Sequence, residues 1–380
     1  MYDTIIVGSG CAGATVARKF ADAGKKVLVI ERRGHIAGNC YDEKDKIGVM
    51  IHRYGPHIFH TNNKEVVDFL SRFTKWHKYE HEVLARVNGE YIPVPFNLNT
   101  LYMVYDEKRA AEIEKKLIDT YGEGNKVPIM KLRENNDADI REVAEYVYNN
   151  IFLKYTMKQW GQTPSEVDQS VTARVPVVIS YDNRYFHDTY QMMPEDGFTA
   201  MFKNMLDSDN IEVRLNTDAK EILQIKDNKI YFEGQEYTGQ VFYTGQTDEL
   251  FDYEYGHLPY RSLNFEFESY DNMEYYQPKA VINYTVDEDY TRITEFKHLL
   301  GQRLDGTTII KEYSVPYEGK KEQIPYYSII NEENLNKYRM YKERADKITN
   351  LHLVGRLAEY KYYNIDAIIA RALEVSDRVM

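Results

Sequence analysis

The stretch that decides the fold is residues 5–14, Ile-Ile-Val-Gly-Ser-Gly-Cys-Ala-Gly-Ala, close to the start of the chain. Its apolar run predicts a strand, its glycines a tight turn, and the residues after them a helix. A second apolar run, 27–30, leads into Glu31. Glycines let the backbone approach a pyrophosphate at a helix start, and an acid after the second strand can bind ribose hydroxyls. The spacing predicts a dinucleotide-binding unit that uses Gly8, Gly10, Ala12, Gly13 and Glu31.

The residues after Glu31 favour FAD over NAD. Residues 31–40 read Glu-Arg-Arg-Gly-His-Ile-Ala-Gly-Asn-Cys, a second loop of small residues that resembles the flavoprotein pattern. Near the C-terminus, an apolar run at 351–354 ends in Gly355-Arg356, and helical spacing follows over 366–379. In flavoproteins with two dinucleotide folds, such a late unit places a helix start near the flavin. A unit that only closes the sheet remains the alternative.

The middle of the chain changes character. Helical spacing occurs at 64–73, 109–121 and 140–152, whereas short β-branched and aromatic runs occur at 229–233, 262–268, 280–284 and 307–313. We predict an α/β fold with three parts: a Rossmann-like FAD-binding domain (1–80, 200–245 and 345–380), a helical insert (97–175) with a mobile loop near Trp160, and an antiparallel β-sheet domain (81–96, 176–199 and 246–344).

Composition excludes several classes of protein. The chain has 380 residues and a formal net charge of −12, which argues against general nucleic-acid binding. Two cysteines cannot form a disulfide framework, and no apolar run approaches the roughly 20 residues that span a bilayer. Because a basic segment before the first apolar run is also missing, we expect a cytoplasmic protein without a membrane span.

A histidine-rich segment, residues 52–61, raises the question of a metal. Gly55-Pro56 in its middle favours an irregular loop, and no HExxH or Cys/His spacing accompanies it. A loop that lies over a flavin ring is the better interpretation, and we predict no metal. The sequence contains no GxSxG segment, so nothing in it indicates a serine hydrolase.

Tyrosines and arginines supply the candidate substrate groups. The chain has 34 tyrosines, several of them in clusters, and tyrosine combines a stacking ring with a hydroxyl that can bind phosphate. Arg174 and Arg292 are candidates for a diphosphate, which suits a planar, permanently charged donor. Trp160, followed by Gly161, is a candidate flap residue. Taken singly, each has a purely structural alternative: a core tyrosine, a solvated arginine or a core tryptophan.

Together these motifs resemble the bacterial UDP-galactopyranose mutases along nearly the whole chain. The matching segments are IIVGSGCAGA (5–14), VLVIERRGHIAGN (27–39), YGPHIFHTN (54–62), YTMKQWG (155–161), YTRITE (290–295), IKEYS (310–314), PYY (325–327) and VGRLAEYKYYNIDA (354–367). The resemblance implies a redox-neutral isomerase that interconverts UDP-galactopyranose and UDP-galactofuranose and furnishes galactofuranose for cell-surface polysaccharide. It implies FAD that is active when reduced: its N5 attacks the anomeric carbon, UDP leaves, and the sugar recloses through a flavin-iminium.

The resemblance also implies roles for single residues. Arg174, Arg292 and His60 would be catalytic. The substrate would contact His81, Phe152, Tyr155, Thr156, Trp160, Arg174, Tyr185, Asn283, Arg292, Glu312, Tyr327, Tyr362 and Asn364. FAD would contact Gly8, Gly10, Ala12, Gly13, Glu31, Arg32, Gly38, Asn39, His57, Ile58, Gly355, Arg356, Ile365, Asp366 and Ala367. Trp160 would act as a gate that brings Arg174 inward.

The chain departs from the family pattern at two positions. Phe296 stands where relatives commonly have histidine, and Asn364 stands where some have aspartate. The resemblance further implies a homodimer and a cellular reductant such as NAD(P)H. Two rivals are an amine-oxidase-like flavoprotein and a non-catalytic binder of nucleotide sugars. Neither explains the arginine and tyrosine set.

Overall fold

The computed structural model describes residues 2–161, 176–286 and 288–380. The strands are β1 (Thr4–Val7), β2 (Val27–Ile30), β3 (Asp42–Lys44), β4 (Met50–His52), β5 (Phe59–Thr61), β6 (Trp76–Lys78), β7 (Val83–Val87), β8 (Glu90–Val94), β9 (Lys126–Pro128), β10 (Pro176–Val178), β11 (Tyr190–Pro194), β12 (Ile211–Arg214), β13 (Leu223–Lys226), β14 (Lys229–Phe232), β15 (Gln235–Tyr237), β16 (Gln240–Tyr243), β17 (Tyr260–Tyr270), β18 (Val281–Tyr284), β19 (Arg292–Glu295), β20 (Thr307–Pro316), β21 (Tyr327–Ser328) and β22 (Leu351–Leu353).

The helices are α1 (Cys11–Asp22), α2 (Lys64–Leu70), α3 (Leu98–Val104), α4 (Glu107–Tyr121), α5 (Ile129–Arg133), α6 (Ala138–Val147), α7 (Lys154–Trp160), α8 (Phe198–Leu206), α9 (Ala219–Ile222), α10 (Thr247–Leu250), α11 (Glu332–Asp346) and α12 (Ile365–Val379). Tyr148–Leu153 forms a π-helical segment, and Gly38–Cys40 and Phe296–His298 form 3₁₀ turns. Within the described ranges, no helix is long and apolar enough to cross a membrane.

A five-stranded parallel sheet organises the first domain. Its strand order is β12-β2-β1-β16-β22, and each pair of neighbours runs parallel. All four residues of β2 are buried, as expected for a parallel sheet covered on both faces, which requires apolar residues on both sides of each strand. Helices α1 and α12 pack against each other beside this sheet. Segments from the start, middle and end of the chain therefore meet around β1.

The run at 229–233 lies outside the large sheet, within the range 200–245 that the sequence assigns to the FAD-binding domain. It forms β14 in a separate antiparallel sheet of β13-β14-β15. Asp227 and Asn228, between β13 and β14, both have positive φ, the geometry of a two-residue hairpin turn. This turn brings β14 against strands that are close to it in sequence. The strand therefore finds its partners locally and needs none from a distant part of the chain.

A seven-stranded sheet forms the second layer. Its strand order is β21-β17-β20-β19-β18-β7-β8, and every pair is antiparallel except β18 with β7. These two strands are separated by the helical insert and part of the first domain, so no hairpin dictates their direction. The predicted antiparallel sheet is therefore mixed at this one pair.

Two helices in the segment between β8 and residue 161 begin at polar caps. The carboxylates of Asp106 and Asp137 accept hydrogen bonds from the first-turn N–H groups of α4 and α6. Helix α6 buries Ile140, Val143, Ala144 and Val147, the spacing of one helical face. The π-helical segment then joins α6 to α7, and α7 leads back to the large sheet.

Candidate functional site

The glycine loop between β1 and α1 leaves a helix start open for an anion. A Cβ added at Gly13 would lie 1.9 Å from the Gly8 carbonyl oxygen, so a side chain there would push the strand and helix apart. Gly8 has φ of +100°, which other residues rarely adopt. Gly10 caps α1 without a side-chain hydrogen bond, and the first turn contains no acid. The free N–H groups and the helix dipole therefore suit the pyrophosphate of a dinucleotide.

Glu31 holds this loop in shape. Its buried carboxylate accepts hydrogen bonds from the Ser9 N–H (3.0 Å), the Ser9 hydroxyl (2.8 Å) and the Arg33 N–H (3.0 Å). Sequence reasoning assigned Glu31 only to a ribose. The structure adds a positioning role, and a carboxylate oxygen with one donor can still accept a second.

The second loop of small residues lies against the first. The Ala37 N–H donates to the Ser9 carbonyl (3.1 Å), and a Cβ added at Gly38 would lie 2.9 Å from the Gly10 Cα. Asn39 accepts a hydrogen bond from Arg33 Nη2 at 2.9 Å. Predicted cofactor residues of both loops are thereby brought together.

Two neighbouring arginines of this segment differ. Arg32 is half-exposed, with its guanidinium 2.9 Å from the Glu249 carboxylate. Arg33 points inward over the Tyr54 ring, and its buried Nη1 has no hydrogen-bond partner among the described residues. Sequence reasoning chose Arg32 and missed Arg33. An orphaned guanidinium N–H beside the phosphate loop fits an anionic group of the cofactor.

The C-terminal loop closes on the same place. A Cβ added at Gly355 would lie 3.6 Å from the Ala12 Cβ, so the two loops are in contact. Arg356 donates to the Tyr363 carbonyl (2.6 Å) and lies 4.4 Å above the Tyr362 ring. Asp366, in the first turn of α12, accepts a hydrogen bond from the Thr61 hydroxyl at 2.7 Å. On either side of it, Ile365 is buried and Ala367 is exposed.

The histidine-rich segment forms a loop held by its own backbone. His57 donates from Nδ1 to the Gly55 carbonyl (2.9 Å), and its N–H donates to His52 Nδ1 (3.0 Å). Burial lowers the pKa values of His57 and His52 to about 3, so both rings are neutral at pH 7. Nε2 of His57 is then an acceptor. Ile58, next in the loop, is half-buried.

A row of polar side chains crosses the large sheet. Asn283 pairs with Arg292, and Arg292 pairs with Glu312, on three adjacent strands. Directly opposed residues share a face, so these side chains point the same way. A Cβ added at Gly55 would lie 3.7 Å from Glu312 Oε1, which brings the histidine loop to this row.

Arg292 and Glu312 form an ion pair with unsatisfied polar atoms. Arg292 Nε lies 3.3 Å from Glu312 Oε2, and Glu312 is 2% exposed. Neither Arg292 Nε nor Glu312 Oε1 has a hydrogen-bond partner among the described residues. Burial raises the pKa of Glu312, and the Arg292 charge partly opposes this. Unsatisfied buried polar atoms are costly, so this pair is prepared for further polar contacts.

Tyrosines surround the Arg292 guanidinium. Tyr155, Tyr185 and Tyr327 are near enough to interact electrostatically with it. Tyr362 stacks over Tyr327 with ring centroids 6.4 Å apart. Burial raises the pKa of Tyr155, so its hydroxyl keeps its proton at pH 7. Near Tyr155, Phe152 and Thr156 are buried.

Two further histidines flank this cluster. His60 stacks on Phe186 with centroids 3.5 Å apart, and its Nδ1 donates to the Asp188 carboxylate at 2.8 Å. His81 also stacks on Phe186, with ring centroids 5.8 Å apart, and burial lowers the pKa of His81 to about 3. Sequence reasoning missed Phe186 and Asp188. Their proximity to Tyr185 was the available signal.

Several of the predicted site residues lie away from this cluster or outside the residues that the structure describes. Arg174 and the loop around it fall outside the described residues, as does the Trp160 side chain. Asn364 caps α12 and is exposed. Phe296 is buried against His52 and Phe267, where an apolar ring completes the core. Within the described ranges, no three His, Cys, Asp or Glu side chains are grouped to hold a metal.

Comparison with known proteins decides the family. The family model described as UDP-galactopyranose mutase matches residues 150–362, more than half of the chain, and one described as NAD(P)-binding Rossmann-like domain matches 6–73. A dTDP-fucopyranose mutase of Escherichia coli is 36% identical over 98% of this chain and 97% of that protein. The chain belongs to the UDP-galactopyranose mutase family.

Other comparisons agree with this membership. A probable UDP-galactopyranose mutase of Klebsiella pneumoniae is 36% identical over 99% of this chain and 94% of that protein. A crystal structure of reduced UDP-galactopyranose mutase superposes with a TM-score of 0.72 at 15% identity, covering 100% of this chain and 95% of the other. The predicted Rossmann-like α/β fold and the predicted flavin-dependent isomerase class are confirmed. Family and fold together indicate FAD as the cofactor.

Proposed function

We propose that this member of the family interconverts UDP-galactopyranose and UDP-galactofuranose without net oxidation or reduction, using FAD in its reduced state. The observation that carries the proposal is the Asn283–Arg292–Glu312 row, which tyrosines border and which lies beside the histidine loop. When bound, the reduced flavin would supply the nucleophile that attacks the anomeric carbon. It would end each turnover in the same reduced form. The chain itself must bind, orient and discharge the leaving diphosphate.

Arg292 is the described cation best placed for that diphosphate. Its charge is permanent, its environment is buried, and Nε has spare donor capacity. The hydroxyls of Tyr155, Tyr185, Tyr327 and Tyr362 would add donors around it. We propose Arg174 as a second cation on the grounds of family resemblance. A buried charge that stabilises the developing diphosphate more than the substrate lowers the barrier.

The remaining polar groups fit the sugar and the uridine. Asn283 and Glu312 would form hydrogen bonds with the sugar hydroxyls. His81, Phe152, Tyr155 and Thr156 would form the nucleoside side, with Trp160 as the gate. His57 and His60 would lie beside the flavin ring, with Asp188 fixing the orientation of His60.

A second candidate is the corresponding reaction of dTDP-fucopyranose. It is favoured by the Escherichia coli dTDP-fucopyranose mutase, which matches this chain at 36% identity over nearly the full length of both proteins. The two substrates differ in the nucleoside and in the hydroxyl at sugar C6. The same leaving group and ring contraction would serve both.

Chromatography separates these candidates. The purified yellow protein is incubated with UDP-galactofuranose or with dTDP-fucofuranose, each once oxidised and once with dithionite. We expect UDP-galactopyranose only in the reduced sample. Conversion of the dTDP sugar alone would transfer the proposal to the second candidate. Failure with both sugars while FAD is bound would contradict it, and bleaching of the flavin by substrate would favour an oxidase.

The cellular setting follows from the family resemblance. We propose a cytoplasmic homodimer that a reductant such as NAD(P)H keeps reduced and that furnishes galactofuranose for cell-surface polysaccharide. Sedimentation of the FAD-loaded protein checks the dimer, and the rate of flavin bleaching by NADH and NADPH under nitrogen checks the reductant.

A further inference from the structure

The fold brings the two cysteines of the chain together in the phosphate loop. Cys11 is the first residue of α1, and Cys40 ends the 3₁₀ turn Gly38–Cys40. Although 29 positions separate them in sequence, their Sγ atoms are 3.5 Å apart. Both thiols are free, and the proposed reaction uses neither.

The backbone sets this approach. The Ala37 N–H donates to the Ser9 carbonyl at 3.1 Å, two residues before Cys11 and three before Cys40. Gly10 and Gly38, directly beside these positions, are in backbone contact. A disulfide needs about 2.05 Å between its sulfurs. The required shift is therefore about 1.5 Å, within reach of side-chain rotation while the two loops stay joined.

The two thiols differ in exposure and acidity. Cys11 is half-buried, whereas Cys40 is 4% exposed. The hydrogen bond from Cys40 lowers the pKa of Cys11, and the Arg356 charge acts in the same direction. The position of Cys11 at a helix start also favours a thiolate. Cys11 is thus the thiol that reacts first, and Cys40 is placed to resolve the product.

We propose that Cys11 and Cys40 form a reversible intramolecular disulfide when the protein meets hydrogen peroxide, and that FAD on the phosphate loop shields the pair. The Cys11 sulfur attacks one peroxide oxygen, the O–O bond breaks, and a sulfenic acid and one water result. The Cys40 sulfur then attacks the Cys11 sulfur, the S–O bond breaks, and a second water leaves. Two thiols are oxidised and the peroxide is reduced.

The shielding part rests on the proposed FAD site, whereas the disulfide does not. A pyrophosphate at the start of α1 would cover the half-buried Cys11 thiol. It would also place negative charge beside the thiolate, which disfavours that form. We expect oxidation in the FAD-loaded protein to be at least about tenfold slower than in the FAD-stripped protein.

The test treats the full chain, FAD-stripped and FAD-loaded, with peroxide and then alkylates the remaining thiols for mass spectrometry. We expect both cysteines to resist alkylation within one chain, and dithiothreitol to restore them. Cys40→Ser should accumulate a sulfenic acid at Cys11 that dimedone traps. Cys11→Ser should leave Cys40 oxidising about tenfold more slowly than Cys11 does in the other variant.

Persistent free thiols, a disulfide only between chains, or equal oxidation rates in the two variants would overturn the disulfide. Flavin absorbance measured before the peroxide step establishes the loading. Equal rates in loaded and stripped protein would then overturn the shielding alone, while absence of flavin uptake would contradict the proposed cofactor site instead.

Discussion

At the residue scale, the diphosphate role rests most heavily on Arg292. Arg292→Ala removes the cation and leaves the Glu312 carboxyl buried without its ion-pair partner. We expect kcat to fall about 100- to 1,000-fold, the effect of removing a donor that acts mainly in the transition state, while the bound flavin spectrum stays unchanged. Steady-state kinetics and absorbance measure the two effects.

A matched control lies next to Glu312 on the same strand. Lys311 points to the opposite face of the sheet and pairs with Glu268 there. Lys311→Ala should keep kcat within about twofold, because its side chain lies on the other face of the sheet from Arg292. Loss of flavin in Arg292→Ala, or an equal loss of turnover in both variants, would show that Arg292 has another role.

Asp188 is predicted to act through His60. Its carboxylate accepts from His60 Nδ1 and from the Asn62 amide, so it fixes which ring nitrogen of His60 carries the proton. Asp188→Asn should lower kcat about tenfold or more with little change in KM, since substrate contacts remain. Asp182→Asn, which disturbs the contacts of Asp182 with Arg184 and His187, is the control. A raised KM with unchanged kcat would place Asp188 in substrate binding.

Residue identity alone explains part of this site. The glycine spacing and Glu31 can be recognised in the sequence because a phosphate loop is a local feature. It needs only a strand, a turn and a helix in succession. The role of Asp188 could not be predicted, since 128 positions separate it from His60 and the pairing of β5 with β11 brings their segments together.

At the element scale, the end of α7 is anchored to the large sheet. The Gln159 carbonyl accepts from the Ser314 hydroxyl (2.6 Å) and from Arg261 Nε (3.3 Å). Gly161 then ends the helix with φ of +65°, and its N–H donates to the Met157 carbonyl. This anchor directly precedes the part of the chain that carries Arg174.

Gly161→Ala should destabilise this anchor. A left-handed alanine costs about 1 kcal/mol, and its Cβ would lie 2.8 Å from Arg261 Nη1. We expect the free energy of unfolding to fall by about 1–2 kcal/mol in urea. Gly124→Ala is the control: its φ is +80°, and its Cβ would meet nothing within 4 Å. Equal losses in both variants would show that the Arg261 contact carries no cost.

Elements show where pattern reasoning reaches its limit. Helical spacing located α4 and α6 because one apolar face repeats along each helix. The partners of β14 could not be predicted in the same way, because a β-branched run indicates a strand but not the strand that pairs with it. The local turn at 227–228 made that choice.

At the scale of the whole molecule, buried neutral histidines tie stability to pH. Burial lowers the pKa values of His52, His57 and His81 to about 3, below the unfolded value near 6.5. As pH falls below 6.5, the unfolded chain takes up protons that the folded chain refuses. Their contribution to stability is therefore complete above about pH 7.5 and is lost progressively toward pH 3.

His52→Asn tests this linkage. The asparagine oxygen can still accept the His57 N–H, but it does not titrate. Between pH 8 and pH 5, the decline in the free energy of unfolding should shrink by about 2 kcal/mol relative to wild type. His35→Asn, at a half-buried ring, should shrink it less. Unchanged declines in His52→Asn would show that His52 is not buried in the neutral form.

The dinucleotide unit, the α/β class and the family can be predicted from the amino-acid sequence, because they depend on short-range spacing and on motifs in a set order. The row of Asn283, Arg292 and Glu312, the support of His60 by Asp188, and the contact of Cys11 with Cys40 emerge only when the chain is folded. Each of these contacts joins residues that are distant in sequence, through strand register or loop packing. Local periodicity predicts neither of the two.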